Sequence, residues 1–166
     1  MRILLLIPAF LLSHLGYANT ELRKMWFQLD DASQKKIFIE KAEKLNPQSP
    51  SIAAFKAAAI MMKAEFTAQP NEKIRYFNAG KDALEMCLAK NQWNTDCRFI
   101  RLTLQCKSPW FLGYHDNIEE DAQVVLDHLR LKYINTKIDF WKNAVSFMLV
   151  QSAIPKEIKT QLQQYQ

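Results

Sequence analysis

The chain has 166 residues, 22 Lys and Arg against 17 Asp and Glu, a net charge of +5, and only 3 glycines and 3 cysteines. The positive charge is spread thinly, with no block of like charges, which is not the clustered basic face that nucleic acid requires. So few glycines argue against phosphate-cradling loops and Gly-rich β architectures, which need positive φ or close backbone approach. Strand-like alternation is also missing, so the composition reads as all-α.

Residues 1–18 have the three parts of a secretory signal peptide: basic Arg2, an apolar run from Ile3 to Leu12, and a small-residue exit at Gly16 and Ala18. About ten apolar residues interrupted by Pro8 are too few to span a bilayer of roughly 30 Å. No Cys follows Ala18 directly, which closes the lipoprotein route. The expected product is residues 19–166, a single helical domain, periplasmic or secreted, with no integral membrane segment after cleavage.

The remaining elements follow in order. Glu21 to Leu45 is charged and amphipathic, with a capped break near Asp30–Ser33. Asn46-Pro47 and Ser49-Pro50 stop it, because proline lacks the N–H and pushes its predecessor off the helical region. Ser49 caps a helix whose Ile52, Phe55, Ala59, Met62 and Phe66 form a buried stripe, with alanines that let a neighbour approach. After the Gln69-Pro70-Asn71 turn, a helix carries Phe77, Gly80, Leu84, Cys87 and Leu88 inward, and Lys81, Asp82 and Glu85 outward. Asn91–Thr95 reverses the chain into a helix from Asp96 to about Lys107.

Ser108-Pro109 ends that helix. Trp110, Phe111, Leu112 and Tyr114 follow in a loop expected to fold back onto the helices, since its exposure would be costly. Asp116–Glu119 opens the next helix in capping-box style, with Ile118, Ala122, Val125 and Leu129 inward. A final pair, Ile138–Ile154 and Pro155–Tyr165, closes the domain. Its first member is apolar nearly all round between Phe140 and Ile154, hence expected buried. The whole is six to eight helices.

Two resemblances can be placed on these residues. Gly80, Leu84 and Cys87, with Gln92 beyond, have the spacing of the second helix of a tetratricopeptide (TPR) repeat, although Gln92 stands where proline is usual and no second copy occurs at a period of 34. This implies TPR-like antiparallel helix hairpins rather than an array. The longer pattern Arg98-Phe99-Ile100-Arg101, Gln105, Pro109, Phe111-Leu112-Gly113-Tyr114, with Lys73, Ile118 and Asp121, resembles the signature of an uncharacterised family of small exported bacterial helical proteins. It implies fold and address, and carries no activity.

The candidate chemistry lies in the same region. Cys87 and Cys97 flank the Asn91–Thr95 turn almost symmetrically, the expected register of a disulfide worth about 2–3 kcal/mol in an exported chain, leaving Cys106 unpaired. No CxxC or Cys/His spacing points to a metal or cofactor. On a wheel of 100° per residue, Arg98, Arg101 and Gln105 fall within about 60° of one another, between two apolar arcs. Such a helix should be central. Its guanidinium groups then need carboxylates, with Glu119, Glu120 and Asp121 the candidates, or an anionic ligand.

Three functions follow. One is a protein- or peptide-interaction module binding through Arg98, Arg101, Gln105, Tyr114 and Lys73. The second is a hydrolase-like enzyme using Glu119, Asp121 or His115. The third is a structural envelope component in which the same Arg residues form an internal ion-pair network, the role that guanidinium geometry suits best.

Overall fold

The computed structural model describes residues 19–131 and 139–166, and every regular element within them is helical. The leader read over residues 1–18, and Ile138 at the expected start of the penultimate helix, lie outside the described residues. The first helix, α1, is described over residues 19–26, followed by α2 (Ala32–Lys44), α3 (Pro50–Met62), α4 (Pro70–Lys90) and α5 (Thr95–Lys107). Then come α6 (Ile118–Leu131), α7 (Asp139–Val150) and α8 (Lys156–Leu162), with 3-10 turns at Lys63–Phe66, Trp110–Leu112 and Gln163–Tyr165. No described helix is long and apolar enough to cross a membrane.

Local chemistry sets these boundaries. Asp31 caps α2, its carboxylate accepting from the N–H groups of Ser33 at 2.7 Å and Gln34 at 2.9 Å. Ser49 Oγ accepts from Ile52 N at 3.2 Å, and Pro50 occupies the first turn of α3 where a missing N–H is harmless. Pro70 does the same for α4. Asn94 Oδ1 accepts from Cys97 N at 3.0 Å and starts α5. Gly113 ends the Trp110–Leu112 turn at φ +60°, a left-handed conformation that favours glycine.

The most extensive packing is between α3 and α4. Ala54, Ala57 and Ala58 of α3 are fully buried, and Gly80 of α4 lies directly against the α3 backbone. Behind α3, the Trp26 ring sits 5.7 Å from Phe38 and 5.8 Å from Phe55, joining α1, α2 and α3. Phe99 of α5 is a second aromatic centre, with Phe27, Phe140, Trp141 and Phe147 all within 6.2 Å of its ring. Through it α7 rests on α5, while α8 buries Ile158 and Leu162 against α6 and α7.

Three expectations need correction. The Trp110–Tyr114 loop folds back only in part: Tyr114 is buried and Leu112 half-buried, whereas Trp110 is 84% and Phe111 72% exposed. The penultimate helix stops at Val150, and it is amphipathic, burying Phe140, Trp141, Ala144, Val145 and Met148 while leaving Lys142, Asn143, Ser146 and Val150 in water. Its run of apolar letters hid a 3.6-residue period. The α3 stripe also weakens at its end, because the chain tightens into a 3-10 turn at Lys63 and swings Phe66 outward.

Gly80 gives a test in which propensity and packing disagree in sign. A Cβ there would sit 2.6 Å from Met61 N and 2.7 Å from Ala57 O, both backbone atoms that cannot step aside. Alanine normally gains up to about 1 kcal/mol over glycine inside a helix, whereas overpacking loses about 1–3 kcal/mol. Gly80→Ala should therefore lower the urea midpoint. A raised midpoint would mean that α3 and α4 are not in backbone contact.

Candidate functional site

The charged centre is built on α5, which is buried almost all round: of its residues from Asp96 to Gln105 only Leu104 is not fully buried. Arg98 and Arg101, three residues apart, share the face turned to α6. There they meet Asp121, whose carboxylate is 0% exposed. Arg101 donates to both its oxygens, Nε to Oδ2 at 2.7 Å and Nη2 to Oδ1 at 2.8 Å, and Arg98 Nη1 donates to Oδ1 at 2.8 Å. This is the bidentate fork that a guanidinium forms with a carboxylate, with a second guanidinium added.

Further bonds tie the two guanidinium groups to other elements. Arg101 Nη1 donates to Glu85 Oε2 on α4 at 2.7 Å, and Tyr114 OH donates to Glu85 Oε1 at 2.9 Å. Arg98 Nε donates to the Gln92 carbonyl in the α4–α5 turn at 2.7 Å, and its Nη1 reaches Glu120 Oε1 at 2.8 Å. Gln105 closes the row: its Oε1 accepts from Asn117 N at 3.2 Å and its Nε2 donates to Asn117 Oδ1 at 3.3 Å. Thus α4, the turn, the loop and α6 are all tied to α5.

Protonation follows from this geometry. Burial pushes the Asp121 carboxyl above its ordinary value, against hydrogen bonds and charges from Arg101 and Arg98 that pull it down. Burial disfavours the charged form of Arg101, but Asp121 and Glu85 more than offset it and hold the guanidinium protonated. Tyr114 is raised far out of the physiological range, by burial first and by Glu85 second, so its phenol stays a donor. At Glu120 burial acts upward, but the Arg98 hydrogen bond and charge prevail and hold its carboxyl below the usual value.

The structure therefore brings Arg98, Arg101, Gln105 and Tyr114 together with Glu120 and Asp121, and separates Lys73 and Glu119 from them. Lys73 is exposed in the first turns of α4, and Glu119 is exposed on α6. Both guanidinium groups face internal carboxylates, which leaves little of either in water. His115 does not join Asp121: its Nε2 lies 3.1 Å from the Ser108 carbonyl. Among the described residues no group of three or more His, Cys, Asp or Glu side chains could hold a metal ion.

Two partners escape the sequence reading. Glu85 was expected to point outward, yet the hairpin symmetry that aligns Cys87 with Cys97 also brings Glu85 close to Arg101. Asp96 is buried and accepts from Arg23 of α1, Nη2 to Oδ2 at 2.7 Å and Nε to Oδ1 at 3.2 Å. Arg23 also stacks 5.2 Å from the Phe140 ring. A separation of 73 residues offers no local signal for that pair.

Cys87 and Cys97 do face each other, as free thiols with sulfurs 3.3 Å apart, longer than the roughly 2.05 Å of a disulfide. Both lie within hydrogen-bonding distance of the Pro50 carbonyl. The hydrogen bond from Cys97, with help from Lys90, holds the Cys87 thiol below its ordinary value against burial. The same bond and burial push Cys97 up.

A second feature lies at the other end of α4. A groove of about 580 Å³ opens between α3, the first turns of α4 and the last turn of α5. Trp26, Leu29 and Met61 contribute to its lining from α1, the segment after it and α3, Ile74 and Phe77 from α4, and Leu104, Phe111 and Leu112 from α5 and the loop beyond. Ile74 is 54% exposed. Lys35, Lys73, Lys107 and Glu65 are its charged members, and Lys35 is paired with Glu65 at 2.5 Å. Compared with known proteins, the chain matches no family model, no curated protein and no solved structure.

The buried pair is testable by truncation. Arg101→Ala leaves the Asp121 charge half-compensated in a dry site and should lower unfolding free energy by about 3–5 kcal/mol in a denaturant titration. Glu85→Gln can keep the bond from Arg101 on its amide oxygen while its NH2 donates to the Tyr114 hydroxyl oxygen, at the solvent edge, and should lose clearly less. Near-wild-type stability of Arg101→Ala would mean that the network does not hold the helices together.

Proposed function

We propose that this chain is an exported interaction module of TPR-like helix hairpins, whose working surface is the apolar groove and whose Arg98–Arg101–Asp121 network is its internal lock. The observation that carries the reading is the groove itself. Apolar side chains at its edge stand in water next to an apolar floor. Ile74 and Phe111 are exposed beside half-buried Phe77 and Leu112. A contiguous exposed apolar surface rimmed by polar residues marks a binding site more often than a folding compromise.

Supporting the same view, the groove sits at the ends of elements that the network fixes. Tyr114 anchors the loop to Glu85, so Phe111 and Leu112 are presented from a tethered base. The resemblance to small exported helical proteins belongs to this proposal: its signature residues Arg98, Arg101, Gln105 and Tyr114 all join the one network. The hydrolase reading receives no such support, because Asp121 is occupied by guanidinium donors and His115 by a backbone carbonyl.

Export gives the cysteines a role. In an oxidising compartment the Cys87 thiolate would attack an oxidised thiol–disulfide partner, and Cys97 would displace that partner from the mixed disulfide. The two thiols would thereby lose two protons and pass two electrons to it. The closed bond would staple the α4–α5 hairpin across its turn.

Two experiments test these statements. Selection from a displayed peptide library should return apolar sequences that Ile74→Ser and Phe111→Ser bind at least about tenfold more weakly, with melting temperatures close to wild type, since both side chains are exposed. Peptides held equally by all three proteins would refute the groove as the working surface. Intact mass analysis of the protein recovered from the exported fraction, without reductant, should show a chain starting at Asn19 and lighter by two hydrogens. Recovery only from the cytoplasmic fraction, with residues 1–18 retained, would refute export, and a chain with all thiols alkylatable would refute the bond.

A further inference from the structure

We infer that the groove receives an amphipathic helix with acidic residues flanking its apolar stripe. This inference rests on the groove being the working surface, and goes beyond it in fixing the charge and shape of the partner.

Charge comes first. Of the four charged side chains in the groove lining, three are lysines. Lys35 is satisfied by Glu65, but Lys73 and Lys107 form an ion pair with no described carboxylate. Lys107 is steadied by the Phe147 ring, 5.8 Å from its Nζ, which fixes the ammonium group without neutralising it. Lys73 lies in the first turns of α4 and Lys107 in the last turn of α5, so the antiparallel hairpin sets both at one end of the groove. Some lysines elsewhere are matched with carboxylates, as in Lys41 with Glu21 and Lys63 with Glu43. The groove thus offers an apolar floor and unspent positive charge at its mouth.

Shape then chooses among anionic occupants. A volume of about 580 Å³ falls inside the range of small-ligand pockets, so size alone does not separate a free amphiphile from side-chain anchors. The edge does. Phe111 and Ile74 continue the apolar lining out to the solvent boundary, where an acyl chain buried in the floor would not cover them. A helix about 10 Å wide would cover them and keep its own polar face in water. Pro70, Lys73, Ile74 and Phe77 also line the groove at i, i+3, i+4 and i+7, a helical ridge of the kind that helix-in-groove recognition uses. Met61 and Met62 in the lining let the surface adapt to different anchors.

The experiment uses the mature full chain and two synthetic amphipathic helical peptides, identical except for Glu or Gln beside the apolar stripe. Binding is read by fluorescence anisotropy of the labelled peptide. At low salt the Glu peptide should bind about five- to tenfold more tightly than the Gln peptide, the combined effect of two partly exposed ion pairs. The preference should fall to about twofold or less at 1 M salt, where the screening length is about 3 Å, and equally in Lys73→Gln/Lys107→Gln.

Equal affinities for both peptides, both weakened by Phe111→Ser, would overturn the acidic partner and leave the groove reading standing. Binding of neither peptide would overturn both. Dodecanoate binding that requires Lys73, with neither peptide bound, would assign the groove to an anionic acyl chain and overturn the helix. A dimer in sedimentation that Phe111→Ser dissolves would assign it to a second copy and do the same.

Discussion

One carboxylate governs the middle of this protein. Asp121 accepts three hydrogen bonds from two guanidinium groups while wholly withdrawn from water. Removing such an ion from water costs several kcal/mol, and the arrangement survives because both carboxylate oxygens accept from charged donors. That requirement fixes more than one contact. It sets the rotation of α5, whose Arg98 and Arg101 must face α6, and the axial register of α6, whose first turn must bring Asp121 level with both. Apolar packing tolerates sliding by fractions of a turn, whereas a forked salt bridge does not. The network therefore specifies which helix lies where, and the aromatic cluster around Phe99 supplies the bulk of the attraction.

The same logic extends outward along α5. Asp96 binds Arg23 of α1 at one end of the helix and Gln105 binds Asn117 before α6 toward the other, with Arg98 and Arg101 between. One helix thus carries a polar attachment to α1, to α4 through Glu85, to the loop through Glu85 and Tyr114, and to α6. None of these partners is adjacent to α5 in a way that hydrophobic pattern alone would select. An all-helical domain with few glycines has many near-equivalent packings of its amphipathic faces, and these attachments narrow them. The close crossing at Gly80 works in the same direction, because a side chain there would force the α3 and α4 backbones apart.

Much of this was legible in the sequence, and the failures have physical reasons. Helix positions followed from Ser49-Pro50, Pro70 and Ser108-Pro109, because proline and cap chemistry act locally; the Asn94 cap, inside the Asn91–Thr95 break, went unread. The centrality of α5 followed from apolar arcs on both flanks of its Arg stripe, and Asp121 and Glu120 were named as partners from the need for nearby carboxylates. Glu85 was misread as solvent-facing because a half-buried carboxylate at the edge of an apolar stripe looks the same on a wheel whether its neighbour is water or Arg101. Arg23 and Asp96 could not be paired at all, since nothing local links positions that meet only after the chain has folded. Lys73 stands apart from the Arg network because it lies well along α4 from Glu85, in its first turns.

Two features of the sequence raised the question of a functional surface. The Arg stripe between apolar flanks could serve a ligand or an internal ion-pair network, the second being the role that guanidinium geometry suits best, and the aromatics after Pro109 were expected to fold away. The guanidinium groups are indeed used internally, whereas Trp110 and Phe111 remain outside. Both outcomes follow from the energetics of each group. A buried charge left open for a ligand would be uncompensated whenever the ligand is absent, at several kcal/mol, which a domain of ordinary stability can scarcely carry. An exposed Phe forgoes only its own burial, about 1.5–3 kcal/mol, which the proposed partner would restore. In a small helical domain, the affordable place to keep binding energy in reserve is therefore an uncovered apolar edge on a polar-locked frame.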